Sequence, residues 1–393
     1  MFAGNRSLLV VGIVSVVNSL GYGIIIPVLY SYSLRYGLND FQNGLLFATF
    51  SLFQFLAAPI IGRLSDKYGR RPLLLVSLFG TTLSFLMMAG AQSAVYLFLA
   101  RALDGITAGN LPVAQAVISD TTEMKDRARG FGIMGAAFGF GFIFGPAISA
   151  LTVGYSSRLP FLIAALISGL SVLLTYLFLP ETNKHLGEVK KSKIFDFGRL
   201  FRAAFEGVAG TTLLVIFCYY LAFSSFIYAF QPFSVKVLGL SPREISGVFT
   251  LFGLVGLFTQ VWLLPRVLKK SSLERIYPIS LLAMTVCFVL YSLSQNLWSF
   301  VIVSIFLALF NALAQPLAQT LLSAEADAKS QGSVLGLGAS YMGLGQILGP
   351  LLAGAVAVFS VRYPFFLGAL FVFVSFLLAR RIFRTKVQPE SAF

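Results

Sequence analysis

The sequence predicts an all-α integral membrane protein, with twelve transmembrane helices in two parallel six-helix repeats. Three observations carry this. Of 393 residues, 57% are hydrophobic and only 11% charged, with 40 Phe and a mean hydropathy of +0.86. A soluble fold of this length has too little interior to hide so much apolar surface. The apolar residues also fall into twelve runs of about 20 residues, the length a bilayer core requires. The runs cover approximately 8–32, 42–62, 73–91, 95–119, 129–153, 159–180, 208–231, 242–264, 275–294, 298–322, 331–355 and 362–381. Finally, one constant shift of 204 residues superimposes landmarks of the two halves. It places Pro112 on Pro316, Gln115 on Gln319, Gly141 on Gly345, Gly145 on Gly349, Pro146 on Pro350 and Arg158 on Arg362. A duplication explains that alignment.

The halves read as a first six-helix bundle over 1–180 and a second over 208–393, joined by a cytoplasmic linker over 181–207. In the linker, Ile194, Phe197, Phe201 and Phe205 share one helical face, while Lys193, Asp196, Arg199 and Arg202 lie elsewhere. That pattern fits a short amphipathic helix on the membrane surface, or a plain solvated linker. Short loops rich in Lys and Arg mark the cytoplasmic side. With both termini inside, that side collects all of the 29 Lys and Arg except Arg35, Arg101, Arg158, Lys236, Arg243 and Arg362. The expected location is the inner (plasma) membrane, multi-pass. Trp262 and Trp298 fall at expected span ends, where indole rings prefer to sit. The first run is of full span length and lacks a basic leader and a small-residue cleavage site, so no cleavable signal peptide is expected.

The net charge of +14 is spread over short loops and not along one solvated face, so nucleic acid is not an expected partner. Cys218 and Cys287 lie inside apolar runs and read as small hydrophobes, and the single histidine, His185, sits in the polar linker. No metal site follows from them. No nucleophile–base pair or nucleotide-binding loop is present in the sequence, so an enzyme is not expected.

Between the second and third runs lies GRLSDKYGRRPLLL, from Gly62 to Leu75. Arg63, Lys67, Arg70 and Arg71 surround one carboxylate, Asp66; Gly62 and Gly69 permit a tight turn, and Pro72 suits the first turn of a helix. This stretch resembles the helix 2–3 loop signature of the major facilitator superfamily. The resemblance implies secondary transport, with a substrate site near midplane between the repeats. Asp66, Arg70 and Arg71 then read as a conformational latch, with Asp66 capping the eleventh helix near Ser330 to Gly332 and Arg70 pairing with Asp120. Surface charges that only set topology are the other reading.

The fifth run carries GAAFGFGFIFGP, Gly135 to Pro146, with small residues one turn apart at Gly135/Gly139 and Gly141/Gly145 and a kinking proline at Pro146. It resembles the helix 5 signature of the superfamily's proton-driven exporters, which implies a role at the interface between halves. Generic helix packing is the alternative. NSLGYGIIIPVL and RARGFGIMGAAFGFGFIFGP extend the resemblance to the drug/proton antiporter branch, above all the tetracycline exporters. Two departures matter. Asn18 and Ser84 stand where that group has acids.

Of fifteen acidic residues, only Asp104 lies well inside a run, roughly 14 Å below the outer interface by helical rise. Arg101 is three residues earlier on the same face. Intramembrane ionisable residues are costly and by default functional. LFLARALDGITAG resembles the superfamily's helix 4 signature, with Asp104 where a glutamine is usual. Asp104 is thus the expected proton carrier and Arg101 its tuning partner; a permanent structural ion pair is the rival. No cofactor is expected, a proton gradient being the energy source.

By analogy with this fold, cavity-lining candidates are Asn18, Tyr22, Gln115, Tyr228, Gln231, Asn311, Gln315, Gln319, Tyr341 and Gln346. Asn311, Gln315 and Gln319 form an amide stripe that should not face lipid. Phe-rich surroundings suit amphipathic, drug-like compounds. The expected function is proton-coupled efflux of such compounds by alternating access, by a monomer in the bilayer. A facilitator or symporter for a sugar or other small metabolite is the alternative.

Overall fold

Proline and glycine decide where the apolar runs become helices. In the computed structural model, which describes residues 6–108, 110–122, 127–183, 197–205, 207–324 and 331–386, the first run forms α1 (Arg6–Ile25) and a short α2 (Leu29–Leu34). The interruption spans Ile26 to Val28, around Pro27, because a residue before proline is disfavoured in the helical region. The second run is α3 (Asp40–Tyr68) and the third α4 (Arg70–Ala89).

These two helices correct the sequence reading of Gly62–Leu75 as a loop. Helix continues through Tyr68, and Gly69 alone joins α3 to α4, at φ 107° and ψ 157°. A positive φ is open to glycine and strained for other residues. Gly62 is not a turn residue: it sits inside α3 with open space beside its Cα.

The fourth run is also not one helix. It divides into α5 (Ala94–Thr107) and α6 (Asn110–Thr121). Pro112 cannot donate to the Ala108 carbonyl and its ring crowds it, and the intervening Gly109–Asn110 has poor helix propensity. Pro316 occupies the same place in the second half, yet α14 (Leu297–Ala324) runs through it unbroken. There the two residues are Leu313 and Ala314, both good helix formers.

The remaining helices are α7 (Arg127–Thr152), α8 (Leu159–Phe178), α9 (Phe197–Ala203) in the linker and α10 (Gly207–Lys236). Then come α11 (Pro242–Phe258), a π turn over Thr259–Leu263 and α12 (Leu264–Lys270). α13 (Leu273–Leu293) precedes α14, and α15 (Gln331–Ala357) and α16 (Tyr363–Lys386) complete the chain. Among the described residues, eleven helical segments are long and apolar enough to cross a membrane, and the fourth run adds its two shorter pieces. Large apolar side chains such as Val76, Phe79 and Leu166 are more than 60% exposed. On a soluble protein so many would be a liability; on membrane-spanning helices they meet lipid tails. In the linker, Phe201 and Phe205 are exposed with ring centroids 5.3 Å apart, and Arg202 is exposed as well. Lys193, Ile194 and Asp196 lie outside the described residues.

The chain divides into two units. The first comprises 1–38, 49–194 and 240–250; the second comprises 39–48, 195–239 and 251–393. Within the first, α1 packs against α7 and α8, and α4 against α5 and α8. Within the second, α10 packs against α15 and α16, and α13 against α14 and α16. The pairing is the same in each, as a duplication requires.

With lipid tails as apolar as the side chains, close packing and hydrogen bonds hold such bundles together. In the first unit Gly145 lies against Gly23 and Ile24, and Gly141 against Ser19. Ser19 Oγ donates to the Ala137 carbonyl at 2.7 Å and Ser149 Oγ to the Ile24 carbonyl at 2.8 Å. In the second, Gly345 and Gly349 lie against Tyr220 to Ser225, and Ser224 and Ser225 donate to their carbonyls at 2.9 and 3.0 Å. Each unit is therefore stitched by a seam of glycines and serine hydroxyls.

Candidate functional site

Two clusters in the first unit carry the charged residues that the sequence singled out. At the α3–α4 junction, Arg70 is the hub. Its Nη1 donates to Asp66 Oδ1 at 2.5 Å and to Ser65 Oγ at 2.7 Å, and its Nε donates to Asp120 Oδ2 at 3.0 Å. Arg70 thus ties α3, α4 and α6 together, and its side chain is only 11% exposed. One carboxylate on each side of a guanidinium satisfies its donors in the geometry that arginine favours. Arg71 turns the other way, donating to the Tyr176 carbonyl of α8 at 2.7 Å with its guanidinium over the Tyr176 ring. Ser330, the expected neighbour of Asp66, lies outside the described residues.

The second cluster surrounds Asp104 on α5. Asp104 and Arg101 are 8% and 3% exposed, and Arg101 Nη1 reaches Asp104 Oδ2 at 3.3 Å. Ser84 and Thr81, on α4, lie beside this carboxylate, with the Ser84 hydroxyl donating to the Thr81 carbonyl at 2.8 Å. Arg101 lies over the Phe50 ring with its Cζ 4.3 Å from the centroid, and its Nε is buried without a partner. Tyr22 stands nearby, its ring 6.2 Å from Phe50 and 6.0 Å from Phe142. Gly105 lets α5 close on α3, since a Cβ there would meet the Phe50 carbonyl oxygen at 2.5 Å. At 3.3 Å through one nitrogen the ion pair is loose, longer than the usual charge-assisted bond. Such a site can hold a carboxylate either charged against the guanidinium or protonated beside Ser84 and Thr81.

The glycine signature on α7 does not form a surface of its own. Gly141 and Gly145 are consumed in the seam with α1, whereas Gly135 has open space beside it. Pro146 lies within α7 and packs by Gly23. Gly139 also lies within α7.

The polar cavity candidates divide by environment. In the first unit Tyr22 and Gln115 are exposed and Asn18 half-buried. In the second, Asn311 is buried and accepts the Tyr219 hydroxyl at 2.7 Å, while Gln315 and Gln319 are exposed and hydrogen-bond Tyr220. Gln346 is half-buried. Tyr228 and Gln231 have no exposed surface, and the Tyr228 hydroxyl is taken by the Asp40 carbonyl at 2.6 Å. Tyr341 is also buried, beside Ala204 at the end of the linker helix.

The sequence profile of the Major Facilitator Superfamily matches residues 11–262 and 212–393. The chain belongs to the major facilitator superfamily. It is a multi-pass membrane transporter and not an enzyme. This transporter is 30% identical over 383 residues to the class H tetracycline resistance protein of Pasteurella multocida, covering 91% of each chain. It is 27% identical over 380 residues to multidrug resistance protein 2 of Bacillus subtilis, covering 95% of this chain and 94% of that one. A bacterial homologue of the human lysosomal transporter Spinster has the same fold, with a TM-score of 0.80 at 17% identity over 98% of each chain.

One residue of the transporter's junction cluster escaped the sequence reading. Glu181, just past α8, accepts the backbone N–H groups of Arg70 at 2.9 Å and Arg71 at 3.1 Å, and those of Thr182 and Asn183 at 2.9 Å each. Asn183 Nδ2 then donates to the Asp66 carbonyl at 2.9 Å. A carboxylate on the first N–H groups of a helix stabilises it through the helix dipole. The available signal was Pro180–Glu181–Thr182, one acid directly after an apolar run that ends in proline.

Proposed function

We propose that this transporter exports amphipathic, drug-like compounds from the cell in exchange for protons carried by Asp104. The observation that carries the reading is the loose, buried Asp104–Arg101 pair flanked by Ser84 and Thr81. A permanently structural pair would be expected to close bidentately; this one leaves Arg101 Nε idle and the guanidinium over Phe50. Tetracycline and multidrug resistance proteins among its relatives support the substrate class.

In this scheme both termini are cytoplasmic, so the Arg70 junction faces the cytoplasm and the Asp40 end of α3 faces outward. A proton entering from outside neutralises Asp104 and releases Arg101 from the pair; deprotonation restores it. Each exchange biases alternating access between two global states. Arg70, shared between Asp66 and Asp120, and Glu181 beneath α4 hold the inner ends of α3, α4 and α6 in one of those states.

The test is quenching of a pH-sensitive dye in inverted vesicles challenged with lipophilic cations and neutral drugs. Drug-induced proton efflux in the parent, lost in Asp104→Asn, is the expected result. Uptake of a labelled compound without proton movement would overturn coupling and leave facilitated diffusion.

A further inference from the structure

Where α2 ends, the first unit encloses a small cavity that the transport scheme leaves unused. Its volume is about 30 Å³, room for about two water-sized occupants. Val28, Val153 and Pro242 supply apolar wall, and Ser31, Arg35 and Ser157 supply polar groups. Tyr32 completes the lining, but its hydroxyl is committed to the Met88 carbonyl at 2.8 Å. Ser31 and Arg35 are four residues apart on α2 and its C-cap, so they share one face. All of these residues belong to the first unit.

The polar groups are donors without an acid to receive them. The Ser31 hydroxyl oxygen is buried and makes no hydrogen bond with the protein. A buried polar atom in that condition calls for a water or an ion. Arg35 Nη1 donates to the Ser157 hydroxyl, which leaves that hydroxyl's own proton to point elsewhere. A guanidinium has five N–H donors, and among the described residues Arg35 enters no ion pair. Two further cations border the cavity. Arg158 follows Ser157 and lies beside Tyr32, and Arg243 follows Pro242. Glu244 is engaged at the start of α11, accepting the Ser241 backbone N–H at 2.8 Å and hydroxyl at 2.7 Å.

The second repeat shows that this corner of the fold does not need those donors. The shift of 204 residues keeps the turn before α8 in the turn before α16: Ser156 matches Ser360 and Arg158 matches Arg362. Each serine hydroxyl accepts the arginine backbone N–H, at 3.2 and 3.3 Å. The cavity donors are not kept. Val235 stands for Ser31, Gly239 for Arg35 and Val361 for Ser157. Their presence in the first repeat therefore points to something bound there.

We propose that this cavity is a binding site for one small anion of the halide class, chloride in ordinary salt, held by Arg35, Ser31 and Ser157. Hydroxyl and guanidinium donors set in apolar wall, with positive charge around them, favour an anion over a cation. The volume suits a monatomic ion and is too small for a phosphate or a lipid headgroup.

The test is thermal melting of the purified full-length protein in detergent, with chloride exchanged for gluconate at constant ionic strength so that screening does not change. The melting temperature should rise with chloride and level off, as binding to the folded state requires. Bromide should act likewise, and gluconate, too large for the cavity, should not. Arg35→Gln should weaken the apparent chloride affinity about tenfold or more, the loss of one charge-assisted hydrogen bond. Ser31→Ala, a milder change, should weaken it severalfold. Equal curves in chloride and gluconate, or a chloride response untouched in both variants, would mean that the cavity holds water only and overturn the proposal. Melting needs neither substrate nor proton gradient, so its outcome is separate from that of the dye assay.

Discussion

Glu181 accepts the backbone N–H of Arg70 at 2.9 Å, across 111 residues of sequence. The segment that leaves α8 therefore finishes the helix that opens at α4, and the junction cluster is a closed ring and not a free loop. Glu181→Ala should cost about 1 kcal/mol, as loss of a helix cap does. The readout is a lower melting temperature of the purified protein in detergent, with Glu181→Gln intermediate. Identical melting curves for all three would show that the cap contributes nothing.

Gly69 and Gly62 make a controlled contrast. Gly69 has φ 107°, and a Cβ on it would press on the Glu181 carboxylate, with Cδ at 2.8 Å. Gly62 sits in a helix facing open space. Gly69→Ala should therefore lose about 1–3 kcal/mol and most transport, while Gly62→Ala should transport normally. Drug-resistance growth assays on equal membrane amounts separate the two; equal phenotypes would sink the argument.

Asp104→Asn should abolish proton-coupled transport while leaving membrane insertion intact. Arg101→Ala should be worse for stability, by about 3–5 kcal/mol, because it leaves a buried carboxylate without its counter-charge. Pairing Arg101→Gln with Asp104→Asn should recover folding without recovering proton movement. Normal coupling in the double variant would make the pair structural.

The seam between α1 and α7 predicts a graded series. Gly141→Leu and Gly145→Leu would drive a side chain into the backbone of Ser19 or Gly23, and should prevent accumulation of folded protein. Gly135→Ala, with nothing within reach of its Cβ, should accumulate as the parent does. Gly349→Leu, against Ser224 in the second unit, should behave as Gly145→Leu does. Fluorescence-detected size exclusion of tagged variants gives the answer directly.

Fold was legible because membrane spans are written in composition, and composition survives averaging over 20 residues. What averaging erased was local. The break between Thr107 and Asn110 was spelled by Gly109, Asn110 and Pro112, but their neighbours are apolar enough that the run reads as continuous. The junction was found from its basic residues, yet its helical course was not. Ser65 bonds the Gly62 carbonyl and keeps α3 wound, so only the residue with positive φ breaks it. Glu181 had no periodic signal, since its partners are backbone groups far along the chain. Periodicity placed Tyr228 and Gln231 on a face but could not say that the face would be fully covered.

The broken fourth span has an evolutionary reading. Pro112 and Pro316 descend from one position, yet only the copy carrying Asp104 has Gly109–Asn110 before its proline, where the other has Leu313–Ala314. That dipeptide lies where one copy has two helices and the other has one. After duplication, one copy kept a continuous helix while its twin, beside an ionisable group, became two shorter ones. The division of labour between the halves is thus recorded in a dipeptide.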